Sequence, residues 1–305
     1  MKTIQKIYLT GLGAIGSSYA GIIYENNPDS LKIIANNERI NRYSQRVTVN
    51  KKTYLFNYIE PDMTDGTADL IIIAVKQHHL EQCIQDIKKF VGPDTIILSL
   101  LNGITSEEII GQTYGMDKLL YSFVVGTDAV REGTATTYSK LGKIVFGEKT
   151  NIDYSPKVRA VKEYFDRVNI PYEIPQNMLH ELWWKFMLNV GINQTSAILK
   201  APYRVFQTVP EARELMVMAS REVIPLSLKT GVDLCEDDIE RYLEIINTLS
   251  PDGKTSMLQD VEAKRKTEVE IFAGTVIELG RKYRIETPVN DILFKMIRTL
   301  EQSYL

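Results

Sequence analysis

Lys6-Ile7-Tyr8-Leu9-Thr10-Gly11-Leu12-Gly13-Ala14-Ile15-Gly16 decides the fold of this 305-residue chain. Lys6 to Thr10 reads as a short buried strand. The glycines at 11, 13 and 16 follow as G-x-G-x-x-G at the mouth of a helix running towards Tyr24. Each glycine has its own reason. The first permits a tight turn, the second lets a pyrophosphate come against the backbone, and the third lets the helix pack closely on the sheet. The helix N-terminus adds unpaired N–H groups and the positive end of its dipole. In this strand-turn-helix setting the motif predicts a dinucleotide site at Gly11, Leu12, Gly13, Ala14, Ile15 and Gly16.

Outward from the loop, strand-like and helix-like segments alternate. Leu31 to Ala35 is a second strand, and Asp69 to Lys76 (DLIIIAVK) is a short, continuous β-branched run of the buried-strand kind. Leu80 to Phe90 reads as a helix and Thr95 to Leu101 as a further strand. Such alternation implies a parallel sheet covered on both faces. Leu119 to Glu148, dense in valine, threonine and tyrosine, reads as antiparallel strands extending that sheet, with turns at Arg131-Glu132-Gly133 and Lys140-Leu141-Gly142. Pro156 to Val168 is helical. Pro171 and Pro175 forbid a helix interior between them, which places a boundary there, with domains at 1–172 and 173–305. Beyond it helices dominate: Met178–Leu199, Pro210–Thr230, Glu236–Leu249, Ser256–Tyr283 and Val289–Leu305. The expected class is α/β, an N-terminal Rossmann dinucleotide-binding domain followed by an all-helical C-terminal domain.

Composition narrows the field. Hydrophobic residues at 44% and charged residues at 25% exclude a disordered or collagen-like chain. A net charge of -3 argues against a nucleic-acid partner. The apolar run Leu70 to Val75 is far shorter than the ~20 residues of a membrane helix, and the N-terminal apolar stretch is too short for a secretory signal. Two cysteines, Cys83 and Cys235, make no disulfide framework. His78, His79 and His180 lack metal-ligand spacing. The expectation is a reduced, cytoplasmic protein with no metal, no membrane and no nucleic acid.

Two further segments carry chemistry. The second strand ends in Ala35-Asn36-Asn37, where NAD sites usually carry a carboxylate, and Arg39 and Arg42 lie just beyond. Guanidinium groups at a neutral tip attract a 2′-phosphate, so NADP(H) is the expected cofactor; the alternative leaves Arg39 and Arg42 as solvated helix-face residues. In Trp183-Trp184-Lys185-Phe186-Met187-Leu188-Asn189-Val190-Gly191-Ile192-Asn193, three polar residues spaced by four form one line along an apolar helix. A desolvated lysine has a lowered pKa and donates a proton near neutrality, and asparagines hold carbonyl or hydroxyl groups. The alternative is a structural seam with Lys185 snorkelling to solvent. Ser256 with Gln259 fits a capping box, and Lys264-Arg265-Lys266-Thr267-Glu268 reads as an exposed face with local ion pairs.

Together these residues resemble the ketopantoate reductase (2-dehydropantoate 2-reductase) family over nearly the whole length. The resemblance rests on Gly11 to Gly16, Val75-Lys76, Leu101-Asn102-Gly103, the Trp184-Lys185 helix with Asn189 and Asn193, and Ser256-Met257 followed by Arg265-Lys266-Thr267-Glu268. It implies a Rossmann domain and a helical domain with the active site between them, reducing ketopantoate to pantoate with NADPH on the way to pantothenate and coenzyme A. It further implies Lys185 as general acid and Glu268 as the active-site glutamate. Asn189, Asn193 and Ser256 become substrate contacts, and Lys76 and Asn102 lie at the nicotinamide end, with Asn102 also near substrate. Ala129 becomes a backbone contact to the cofactor. Glu268 either orients Lys185 or accepts a substrate hydroxyl. Two departures stand out: Asn36 replaces the basic strand-tip residue of many members, and Tyr203 follows Ala201-Pro202 where many carry asparagine. The implied partner is a small 2-keto acid, with a homodimer possible. The rival readings are a related Rossmann/helical-domain dehydrogenase acting on another keto acid, and a non-catalytic NADP(H)-sensing protein.

Overall fold

The computed structural model describes residues 3–305, and the chain divides into two compact units after Met178. The first unit runs β1 (Ile7–Thr10), α1 (Ala14–Asn26), β2 (Leu31–Ile34), α2 (Asn37–Gln45), β3 (Val47–Val49), β4 (Lys52–Tyr54), β5 (Tyr58–Ile59), β6 (Leu70–Ile73), α3 (Leu80–Asp86), β7 (Ile96–Ser99), α4 (Ser106–Tyr114), β8 (Leu119–Val125), β9 (Val130–Glu132), β10 (Ala135–Thr137), β11 (Lys143–Gly147), α5 (Pro156–Val168) and β12 (Tyr172–Glu173). An eight-stranded sheet has the order β12-β11-β8-β7-β6-β1-β2-β5. Its strands from β8 to β5 are mutually parallel, and β11 joins β8 antiparallel. Alternate residues enter opposite cores: Ile7, Leu9, Ile33, Ile72 and Leu98 on one face, and Tyr8, Ile34, Ile71, Ile73 and Ile97 on the other. Burial on both faces explains why these strands are apolar throughout.

The stretch from Leu119 to Glu148 divides between two sheets. β8 and β11 extend the main sheet as expected, but β9 and β10 join β3 and β4 in a second, four-stranded sheet of order β4-β3-β10-β9. Arg131 and Glu132 lie within β9 rather than in a turn; the hairpin turns at Gly133, whose φ is +57°. Thr136 fixes the hairpin to α1, its hydroxyl 2.7 Å from that of Ser17. At the far edge, β12 pairs with β11 through Tyr172 and Glu173, and Met178 N–H donates to the Lys149 carbonyl. The first unit therefore continues past both prolines.

Helices α6 (Met178–Leu199), α7 (Tyr203–Thr208), α8 (Pro210–Arg221), α9 (Val223–Lys229), α10 (Glu236–Thr248), α11 (Ser256–Glu262), α12 (Ala273–Tyr283) and α13 (Pro288–Gln302) follow. Two of the expected long helices are each two. The first breaks at Glu222 because Pro225 cannot donate to the Arg221 carbonyl and its ring crowds that group. The second stops at Glu262 in a Schellman closure: Arg265 N–H reaches Asp260 O at 2.8 Å, Lys264 N–H reaches Val261 O at 3.1 Å, and Lys264 has φ +53°. Thr267 N–H and hydroxyl then donate to the buried Glu301 carboxylate at 2.7 and 2.6 Å, holding the non-helical segment on α13.

Candidate functional site

Parallel registry brings the nucleotide-side residues of the first unit to one edge. Thr10 lies beside Ile34 and Ile73, and Ile73 beside Ser99. The loops carrying Gly11 to Gly16, Asn36 to Arg39, Lys76 and Asn102 thus all leave the carboxyl ends of neighbouring strands. The sheet order reverses direction between β1 and β6, the position where open α/β sheets form a ligand crevice.

The three glycines differ in what the fold asks of them. Gly11 has φ +94°, and a Cβ there would stand 2.5 Å from Ala74 O; at Gly16 it would stand 1.9 Å from Gly11 O. Both are glycine for folding reasons alone. Gly13 has an ordinary φ of -73° and a Cβ there would meet nothing nearer than Ala74 O at 3.9 Å. Nothing in the protein excludes a side chain at 13. Its absence leaves the uncapped first turn of α1 open to a close-approaching anion, which fits a pyrophosphate. Leu12 has its side chain in the core, so only its backbone is available.

Asn36, at the strand tip, is the N-cap of α2, accepting Arg39 N–H at 3.0 Å. Burial lowers the His79 pKa, and the charges of His78, Arg39 and Lys76 lower it further. Lys76 begins a short 3-10 turn, its carbonyl accepting His79 N–H at 2.8 Å. Asn102 precedes Gly103, whose φ is +93°. Ala129 N–H is taken by Thr127 Oγ1 at 3.2 Å, leaving only its carbonyl for a ligand. Near Asn102, the buried Glu107 carboxylate accepts from Ser106 Oγ at 2.9 Å and Ser122 N–H at 3.2 Å, and burial pushes its pKa up to about 7.

On α6 in the second unit, Lys185, Asn189 and Asn193 form the line that their spacing requires, on a helix otherwise buried. Among the described residues, no ion pair or hydrogen bond engages the Lys185 amine or either asparagine side chain, although Asn189 and Asn193 are 4% and 5% exposed. Lys185 keeps an open edge yet lies deep enough for burial alone to lower its pKa to about 8. The helix is held from its first turn: the His180 ring nitrogens lie 3.0 Å from Asp233 and 2.9 Å from Asp238, and Trp184 Nε1 donates to Asp238 O at 3.0 Å. Burial opposes charge on His180, but the two carboxylates more than offset it and raise its pKa.

Ser196, three residues beyond Asn193, accepts from Thr255 Oγ1 at 3.2 Å. This bond brings Ser256 beside the C-terminal end of the polar line. Thr255, not Ser256, caps α11, accepting Leu258 N–H at 3.2 Å, and Gln259 donates to Lys254 O instead of closing a capping box. The exposed Ser256 hydroxyl is therefore not spent on the helix. Glu268 is half-buried on the segment anchored by Thr267, and no carboxylate contributes to the Lys185 pKa. Lys264 and Lys266 are exposed and Arg265 pairs with Asp260 at 2.9 Å, an ion-paired surface but not a helical one. Sequence reasoning passed over Glu107 and Arg131. The first had only a Ser-Glu pair at a helix start as its signal, and the second is distant in the chain from Tyr43, whose ring it meets.

A model described as "Ketopantoate reductase PanE/ApbA" matches residues 7–151, and one described as "Ketopantoate reductase PanE/ApbA C terminal" matches residues 177–301. The 2-dehydropantoate 2-reductase of Aquifex aeolicus (strain VF5) is 24% identical over 304 residues, 98% of this chain and 97% of that one. A D-mandelate dehydrogenase solved with NADH and anilino(oxo)acetate has a TM-score of 0.86 at 21% identity, covering 98% of this chain and 99% of its own. A dimeric ketopantoate reductase from Staphylococcus aureus has a TM-score of 0.80 at 20% identity, covering 98% and 100%. At these identities the structural likeness speaks to the fold alone. Among the described residues, no helix is long and apolar enough to cross a membrane.

Proposed function

Because the chain belongs to the ketopantoate reductase family, we propose that it reduces a 2-keto acid with NADPH. The substrate is 2-dehydropantoate and the product (R)-pantoate, in the cytoplasmic route to pantothenate and coenzyme A. The observation that carries this reading is the unpaired line of Lys185, Asn189 and Asn193 on a buried helix. Buried polar groups without protein partners are costly, and a small polar substrate would repay them.

Gly11 to Gly16 would hold the dinucleotide phosphates, Arg39 the adenosine end, and Lys76, Asn102 and the Ala129 carbonyl the nicotinamide end. When bound, the cofactor supplies the hydride. The Lys185 ammonium stabilises charge growing on the carbonyl oxygen and delivers its proton from Nζ, and a pKa of about 8 suits an acid working near neutrality. Asn189 and Asn193 orient the carbonyl and hydroxyl groups, Asn102 is a further substrate contact, and Ser256 meets the carboxylate. Since burial alone sets the Lys185 pKa, we assign Glu268 to a substrate hydroxyl rather than to control of the lysine charge.

A second reading, reduction of a different 2-keto acid, is favoured by Tyr203. Its N–H donates to Gly253 O at 3.0 Å, and its ring stands 2.9 Å from where a Gly253 Cβ would be, beside the segment leading to Ser256. NADPH and NADH consumption with ketopantoate, phenylglyoxylate and unbranched 2-keto acids tests both. The first reading expects the highest kcat/KM for ketopantoate with NADPH. Cofactor binding with no oxidation by any of these acids would leave only a nucleotide-sensing protein.

A further inference from the structure

Two arginines meet at one tyrosine of α2. The Arg42 guanidinium carbon lies 5.5 Å from the centre of the Tyr43 ring and that of Arg131 lies 5.6 Å from it. Tyr43 stacks in turn on Tyr58, centroids 6.3 Å apart at 22°. No carboxylate forms an ion pair with Arg42, Arg131 or Arg39 among the described residues. Arg131 donates from Nε to Gly133 O at 2.9 Å, while its Nη1 and the Tyr58 hydroxyl are both buried with no acceptor or donor.

Holding two like charges this close is unfavourable. Cation–π contact with Tyr43 returns only about 0.5–2 kcal/mol per guanidinium. Burial, and then the charge of Arg42, lower the proton affinity of Arg131, with Tyr43 opposing. A structural role would be served equally well by one arginine paired to a carboxylate. The arrangement is explained by an anion.

Its place identifies which anion. Arg131 sits directly across from Thr136 in the β9–β10 hairpin. The Thr136 hydroxyl is 2.7 Å from Ser17 Oγ, and Ser17 Oγ donates to Gly13 O at 2.7 Å. One short chain of contacts thus joins the opposite strand to the residue where a pyrophosphate approaches. Arg42 and Tyr43 lie on the helix that begins at the tip of β2, the ribose end of such a site.

We propose that Arg131 and Arg42, both held at the ring of Tyr43, form a phosphate-binding pair that receives a phosphate of the bound dinucleotide. The fork geometry of guanidinium suits two oxygens of one phosphate. The proposal rests on the dinucleotide reading above and adds a residue from the second sheet to it.

The test is titration of the full-length protein with NADPH and with NADH, following fluorescence or heat, for wild type, Arg131→Gln, Arg131→Lys and Arg42→Gln. Arg42 is exposed, so its variant keeps the experiment informative if Arg131→Gln folds poorly. Loss of a charge-assisted phosphate contact is expected to raise Kd roughly 10- to 100-fold, with Arg131→Lys intermediate. A rise for NADPH alone assigns the 2′-phosphate; an equal rise for both assigns the pyrophosphate. Wild-type binding with unchanged Kd in Arg131→Gln and Arg42→Gln overturns the pair and leaves the reductase reading standing. Wild type that binds neither nucleotide overturns both.

Discussion

Replacing Lys185 with methionine should stabilise the protein while destroying its activity. Methionine preserves most of the aliphatic stem and removes the charge. Burial lowers the amine from its ordinary pKa of 10.5 to about 8, a difference worth about 3 kcal/mol. The folded pKa lies below the unfolded one. The penalty is therefore complete below about pH 8 and is relieved as pH rises from about 8 to 10.5. With some loss to screening at the open edge of the side chain, Lys185→Met should exceed wild type by about 2–3 kcal/mol at pH 7. That gap should close near pH 10.5. Urea unfolding at both pH values measures it, with NADPH oxidation followed in parallel and expected to fall ~100-fold or more. In wild type the rate should decline above about pH 8 as the ammonium is lost. A variant no more stable than wild type at pH 7, or a gap that persists at high pH, would refute the desolvated amine. Undiminished turnover would remove it from the chemistry.

Other substitutions separate folding from binding. Gly16→Ala should destabilise the protein strongly, because its Cβ would stand 1.9 Å from a backbone oxygen, whereas Gly13→Ala should melt like wild type and lose nucleotide affinity; thermal melts with and without NADPH distinguish them. Glu107 has a folded pKa raised from 4.5 to about 7, so stability present below 4.5 is lost as pH rises through 7. Glu107→Gln should abolish that loss, on the order of 3 kcal/mol by pH 8.5, and parallel slopes for variant and wild type in denaturant titrations would contradict it. Asn189→Ala should raise KM for the keto acid by ~10-fold with little change in the Kd of NADPH, and an unchanged KM would take Asn189 out of substrate contact.

The main sheet was legible because its central strands are buried on both faces and carry short apolar runs such as Leu70 to Ile73. The α6 line was legible because helical spacing alone places residues four apart together. The second sheet was not. β3, β4, β9 and β10 are three residues long, too short for alternation to register, and β3 pairs with β10 from a distant part of the chain. The end of α11 was hidden for a different reason. Lys264 adopts the left-handed conformation usually given to glycine or asparagine, so no residue announced the stop. The cap on Thr255 rather than Ser256 was a choice between adjacent hydroxyls that only packing against Ser196 decides.

The pairing of β3 with β10 also orders events in time. Thr48 N–H donates to Thr134 O and Asn50 N–H to Thr136 O, so this closure waits for a long intervening stretch to be synthesised and collapsed. Its entropy must be met before its contacts form. The hairpin that closes it also braces the first turn of α1 through Ser17. A nascent chain can therefore lay down β1, β2 and β6 early, yet brace the first turn of α1 only once the β9–β10 hairpin has emerged.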